Sequence, residues 1–205
     1  SKDLNNKKNN NKVFIELTKK KIRLSQIILV MMDINDFYER LHSRIIKLVC
    51  EEYRCMLLVV NKIDIKKGFS KSLIQKKIYE LNPQIKGLPI FFISAKKIIA
   101  TTTLINGIAK QLKIWKKKIS TSALNKWLGT TVKNNPPPLI KSKQVKLKFI
   151  SQCNISPPKF NIFVNINDIK TDYKRFIENN LKKKFGLNGL PIKIIYKRTK
   201  NPYEK

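Results

Sequence analysis

The tetrad Asn61-Lys62-Ile63-Asp64 sets an amide, an ammonium and a carboxylate directly after the apolar run Met56–Val60. That is the pattern of a buried parallel strand delivering a loop to the carboxyl edge of a sheet, where open α/β sheets bind ligands. Guanine presents two neighbouring donors, its ring N–H and its exocyclic amine, and one ionised carboxylate accepts both. Asp64 has that chemistry. The Lys62 stem can lie flat on a base with its charge over the ring, and the Asn61 amide can tie neighbouring loops together. Downstream, a second apolar run from Pro89 to Ile93 ends in Ser94-Ala95-Lys96. There the Ala95 backbone N–H would meet the guanine carbonyl while Ser94 braces the loop. Asn61, Lys62, Asp64, Ser94, Ala95 and Lys96 are thus the candidate guanine-nucleotide residues, with GTP or GDP as the expected ligand. No catalytic residue and no metal ligand set is identified.

The elements that must carry these loops follow from periodicity. Ile27–Met32 reads as a buried strand stopped by Asp33-Ile34-Asn35-Asp36. Residues 36–52 carry Phe37, Leu41, Ile45, Leu48 and Val49 at helical spacing. Strand 55–60 and its loop come next. A helix over 70–81 opens at Ser70 as N-cap and closes before Asn82-Pro83. Strand 89–94 follows, then a helix over about 101–117 with Leu104, Ile108, Leu112 and Trp115 on one stripe, where the Trp is expected to be core. Alternating strand and helix implies βαβ units, a parallel sheet and helices on its faces.

The pattern then changes. Ser120-Thr121-Ser122 starts a helix with Leu124, Trp127, Leu128 and Val132 inward, and Asn135-Pro136-Pro137-Pro138 breaks it. Residues 143–151 alternate, predicting Val145, Leu147 and Phe149 inward and Lys146 and Lys148 outward. A strand over 160–164, a helix over 172–185 closed by Gly186, and a strand over 192–196 complete a small α+β unit. Gly186-Leu187-Asn188-Gly189 spells G-x-x-G, but between a helix and a strand it reads as a helix-ending turn.

The 205-residue chain has 44 basic and 13 acidic residues, a net charge of +31. After Ala109 there are 23 basic against 4 acidic residues, or +19. Such an excess points to a polyanionic partner, although abundant Lys, Asn and Ile also fit compositional drift from AT-rich coding. Candidate RNA-binding rows are Lys141, Lys143, Lys146 and Lys148, and Lys182, Lys183, Lys184, Lys197 and Arg198. Cys50, Cys55 and Cys153 have no metal-ligand spacing and read as reduced, mostly buried thiols. His42 has no Cys, Asp or His at metal-ligand spacing in the sequence and reads as a packing or surface residue. No run is long enough to span a bilayer. Residues 1–24 read as a basic, partly disordered leader with a short helix about Val13, Phe14, Leu17 and Ile22.

These residues resemble the C-terminal part of the Der (EngA) family of tandem GTPases. The resemblance runs from about Ser25 to Tyr203 and rests on Val59–Asp64, Phe92–Ala95, Ile119–Leu128, Asn135–Pro138, Pro157–Phe160, Phe163–Asn165, Tyr173–Phe176, Phe185–Ile192 and Asn201-Pro202-Tyr203. It implies an α/β fold: part of a P-loop-GTPase-type parallel sheet with flanking helices at 25–118, the second half of the second GTPase domain. A small α+β KH-like domain at 119–205 follows. It also implies ribosome biogenesis, with binding of guanine nucleotide and rRNA during assembly of the large ribosomal subunit. A monomer without membrane attachment is expected, in the cytoplasm of a bacterium or in a plastid or mitochondrion. The departures are plain: the sequence contains no G-x-x-x-x-G-K-[ST] and no upstream D-x-x-G. Phosphates and Mg²⁺ therefore lack their usual cradle, Mg²⁺ would need the missing N-terminal half, and the chain by itself is expected not to hydrolyse GTP. The alternative is a non-catalytic RNA- or protein-binding module with a decayed nucleotide pocket.

Overall fold

The structure, a computed structural model, describes residues 15–36, 40–140, 143–166 and 168–198. Val13, Phe14, Phe37, Lys141 and Asn201-Pro202-Tyr203 lie outside them. The described residues divide into two compact units, the first ending at Leu112 and the second beginning at Lys113.

In the first unit a helix, α1 (15–24), precedes β1 (Ile27–Asp33), α2 (Arg40–Glu51), β2 (Cys55–Asn61), α3 (Lys71–Leu81), β3 (Ile90–Phe92) and α4 (Thr101–Trp115). The strands form a parallel sheet in the order β1-β2-β3, with Asp33 beside Asn61 and Val60 beside Phe92. Every residue of β2 from Cys55 to Val60 is fully buried, because strand alternation feeds two cores. Met56, Leu58 and Val60 pack with Ile46 and Val49 of α2 and Ile74 and Ile78 of α3; Leu57 and Val59 pack with Ile93 and Leu104. Ser70 caps α3, its side chain accepting the Leu73 N–H, and the helix stops before Pro83.

β1 departs from the expected buried strand: Leu29 is 38 % and Met31 49 % exposed. They stand in register with Leu57 and Val59, on the face that α4 covers. The cluster on that face, which includes Leu104 of α4, takes in Ile27 of β1 but neither Leu29 nor Met31. Val30 and Met32, on the other face, are buried as expected.

The second unit runs α5 (Thr121–Asn134), β4 (Leu147–Asn154), β5 (Lys159–Val164), α6 (Thr171–Phe185), β6 (Lys193–Arg198). Its sheet has the order β4-β5-β6, the first pair antiparallel and the second parallel. Ser120 caps α5 by accepting the Ala123 N–H. Asn125 then clips α5 to β4: its Nδ2 donates to the carbonyls of Thr121 and Ile150, and its Oδ1 accepts the Ile150 N–H. Leu124, Trp127 and Leu128 are buried, as are Ile150, Phe160, Ile162 and Val164 and α6 residues Ile177 and Leu181. Trp115 is 1 % exposed, the core residue expected of it.

Two details of β4 differ from the alternation in the sequence. The strand begins at Leu147, and a register irregularity lies between Leu147 and Phe149. Such a shift turns the following side chains to the other face. Phe149 is therefore 41 % exposed and Ile150 takes the inward place. Among the cysteines, Cys55 is buried, its thiol pushed up to about 12 by burial, and Cys50 is half-buried; Cys153 is exposed, contrary to a mostly buried set.

Candidate functional site

The guanine-type loops meet at the carboxyl edge of the parallel sheet. β2 hands the chain to a 3₁₀ turn, Ile63–Ile65, through Lys62, which adopts a left-handed backbone with φ 62°. A non-glycine residue there is uncommon. Here the strain is offset because the Lys62 N–H donates to the Asn61 side chain at 2.8 Å. The loop after β3 is joined to this one by three bonds. Ile93 N–H donates to Val60 O (2.9 Å) and Ile63 N–H to Ile93 O (3.2 Å). Ala95 N–H donates to Asn61 Oδ1 at 3.0 Å. Asn61 thus ties the two loops, as its amide chemistry suggested.

Asp64 is bound to the second loop as well. A hydrogen bond from the Ser94 side chain, aided by the nearby charges of Lys97 and Lys96, holds its carboxyl below the usual range. The residue is half-buried, and the lowered carboxyl is ionised at neutral pH, the state a pair of purine donors requires. Ser94 is completely buried and also accepts the Lys97 N–H at 3.1 Å. Asn61, Asp64, Ser94 and Ala95 therefore converge; Lys96 is exposed on the same loop.

Two placements differ from expectation. The Ala95 N–H already donates to Asn61, so a guanine carbonyl would have to share or displace that acceptor. The Lys62 ammonium sits 2.6 Å from Asp33 Oδ2 instead of standing alone. Asp33 is the residue that sequence reasoning missed. Its Oδ1 accepts the Asn35 N–H at 2.9 Å, and that bond with the Lys62 contact holds its carboxyl low; the same contact raises Lys62. The available signal was the acidic end of β1, since parallel pairing must set it beside the end of β2.

At this edge the Asp64 carboxylate has the chemistry to accept two neighbouring donors of one ligand. No group of three or more His, Cys, Asp or Glu side chains suited to a metal ion occurs among the described residues, and the sequence has no phosphate-binding loop.

The basic rows are rearranged in the second unit. Leu147, Val164 and Arg198 align across its sheet, so Lys146, Lys148, Lys197 and Arg198 gather at one end. Lys182, Lys183 and Lys184 close α6 at the other end: Phe185 O accepts from Lys117 Nζ, and Lys117 O accepts from Gln152, which pairs with Phe160. The second row is thus split. Lys182 is moreover paired with Glu178 at 2.6 Å, its side chain 12 % exposed. Lys143, Lys146, Lys148, Lys183, Lys184, Lys197 and Arg198 are exposed. G-x-x-G is a helix-ending turn: Gly186 has φ 68°, and the Gly186 and Leu187 N–H groups both donate to Lys182 O. No helix among the described residues is long and apolar enough to cross a membrane.

The family described as the KH-domain-like, C-terminal domain of EngA bacterial GTPase enzymes matches residues 118–197. GTPase Der of Rickettsia prowazekii and of Rickettsia felis are each 37 % identical over 188 residues, covering 89 % of this chain and 42 % of the relative. The chain spans about two-fifths of the length of these relatives. A crystal structure of Aquifex aeolicus Era bound to GDP and aluminium fluoride matches with a TM-score of 0.42 and 18 % identity, over 90 % of this chain and 68 % of that one. That likeness is too slight to bear on function.

Proposed function

The chain belongs to the Der (EngA) family, to whose C-terminal part it corresponds, and on that premise we propose that it binds a guanine base through its first unit and ribosomal RNA through its second, in assembly of the large ribosomal subunit. The observation that carries this reading is the convergence of Asp64, Ser94, Ala95 and Asn61 at one sheet edge, with the Asp64 carboxylate ionised. In this reading residues 25–118 are the second half of a GTPase domain and residues 119–205 the KH-like domain. The uncovered Leu29 and Met31 on edge strand β1 fit a sheet that further strands and a helix would complete. GTP hydrolysis and Mg²⁺ then belong to the assembled domain, and the site of action is the compartment where the ribosomes assemble.

Asp64→Asn tests the base. An amide presents a donor where the carboxylate accepted, so preference should move from guanosine toward xanthosine nucleotides. The RNA half is tested by salt. Affinity for RNA should fall with a log–log slope of about −0.7 for each phosphate contact to single strands, and binding indifferent to salt would count against it.

One observation favours a second reading, a non-catalytic module with a decayed pocket. Lys62 and the Ala95 N–H are engaged within the protein, by Asp33 and Asn61. In that case Asp64→Asn leaves nucleotide binding as it was.

A further inference from the structure

The second unit's sheet has a face that the lysine rows do not describe. Along β5, Phe160, Ile162 and Val164 point into the core, so Asn161 and Phe163 point to the opposite face. The register sets Phe149 and Lys197 on either side of Phe163. The Phe149 and Phe163 rings lie 5.9 Å apart between centroids, tilted by 49°. By the same alternation Lys159 and Lys193, directly paired, lie on this face farther along. β4, β5 and β6 contain no Asp or Glu. Between the aromatic pair and the lysines sits Asn161, 9 % exposed, whose Oδ1 has no hydrogen-bond partner.

We infer that this sheet face is a stacking platform for single-stranded RNA. Unpaired bases stack on Phe149 and Phe163, and phosphates run past Lys197 and Lys193. The inference rests on the RNA-binding reading above and names the surface and the strandedness of the ligand. Single-stranded binders combine these elements, aromatic side chains under the bases and a basic track along the backbone. A protein partner fits less well, because lysine is depleted from the cores of protein interfaces and the strands of this face carry only positive formal charge. The β4 irregularity is what makes the platform: without it Phe149 would be a core residue.

The test is fluorescence anisotropy of the 205-residue chain with a labelled oligouridylate and, separately, a short RNA duplex, at one fixed salt concentration. Loss of one stacking ring should weaken oligouridylate binding about 5- to 100-fold. Phe149→Ala and Phe149→Leu should both show it, with duplex binding unchanged, while Phe149→Tyr retains affinity. Phe149 is 41 % exposed, so these variants should keep the wild-type circular dichroism spectrum. Equal oligouridylate binding by wild type, Phe149→Ala and Phe149→Leu overturns the platform and leaves the RNA reading standing. Failure of the wild type to bind either RNA overturns both. Unchanged oligouridylate binding with loss of self-association in sedimentation assigns the face to a protein contact and also overturns the platform.

Discussion

Replacing Asn61 with alanine isolates the side chain that holds the two loops of the candidate site together. Its Oδ1 accepts the Ala95 N–H at 3.0 Å and the Lys62 N–H at 2.8 Å, and its Nδ2 approaches Met31 Sδ at 3.7 Å. Each neutral hydrogen bond contributes about 0.5–1.5 kcal/mol net, and these lie near the surface, where water replaces the lost acceptor. The expected loss is about 1–2 kcal/mol, a fall in melting temperature of roughly 3–10 °C for a unit of this size. The locus matters more than the amount. Hydrogen exchange read by NMR should quicken at the Ala95 amide by several-fold or more, because its acceptor is gone. Asn61→Asp keeps an acceptor oxygen and should preserve Ala95 protection while losing the Nδ2 contact. If Asn61→Ala destabilises the protein and Ala95 exchange does not change, the bond is not what joins the loops, and the geometry assigned to the site is wrong.

Other outcomes follow from particular contacts. Gly107 lies against Phe91, where an added Cβ would sit 2.1 Å from Cζ. Crowding of about 1–3 kcal/mol should outweigh the helix-propensity gain of about 1 kcal/mol, so Gly107→Ala should lower stability in urea melts, and a Phe91→Leu background should make it neutral or favourable. Asn125→Ala removes the clip between α5 and β4 and should lower the urea-derived stability by about 2–3 kcal/mol. Asp33 and Asp64 are held below their ordinary value. A lowered folded-state value gives stability that is present above the unfolded value of about 3.9 and lost as pH falls through the folded one. Melting curves should therefore show an acid-sensitive loss below about pH 4, smaller in Asp33→Asn, and an identical acid limb in that variant would contradict the Lys62–Asp33 pair.

What the sequence made legible was whatever one strand or one helix decides alone. The unbroken apolar run before Asn61 announced a central strand covered on both faces, and β2 is that strand. Ser70, Ser120 and Gly186 terminate helices by local chemistry, and each does so here. What stayed hidden depends on neighbours. The exposure of Leu29 and Met31 follows from which face a helix covers. The outward turn of Phe149 comes from an irregularity whose register only the partner strand reveals. Asp33 reaches Lys62 because two strands, separated by α2 in the sequence, end side by side. The Ala95 N–H looked available for a ligand because no periodicity reveals that Asn61 already accepts it. The lysine rows were drawn along the chain, whereas sheet register regroups them by which end of the sheet they reach.

Whether this sheet edge reads guanine is decided by an amide NMR titration of the 205-residue chain with GMP against AMP. Saturable shifts are expected at Asp64, Ala95 and their loop neighbours with GMP, much weaker shifts with AMP, and loss of the GMP response in Asp64→Asn. Equal responses to the two nucleotides, or GMP shifts that leave Asp64 and Ala95 unmoved, would contradict that reading.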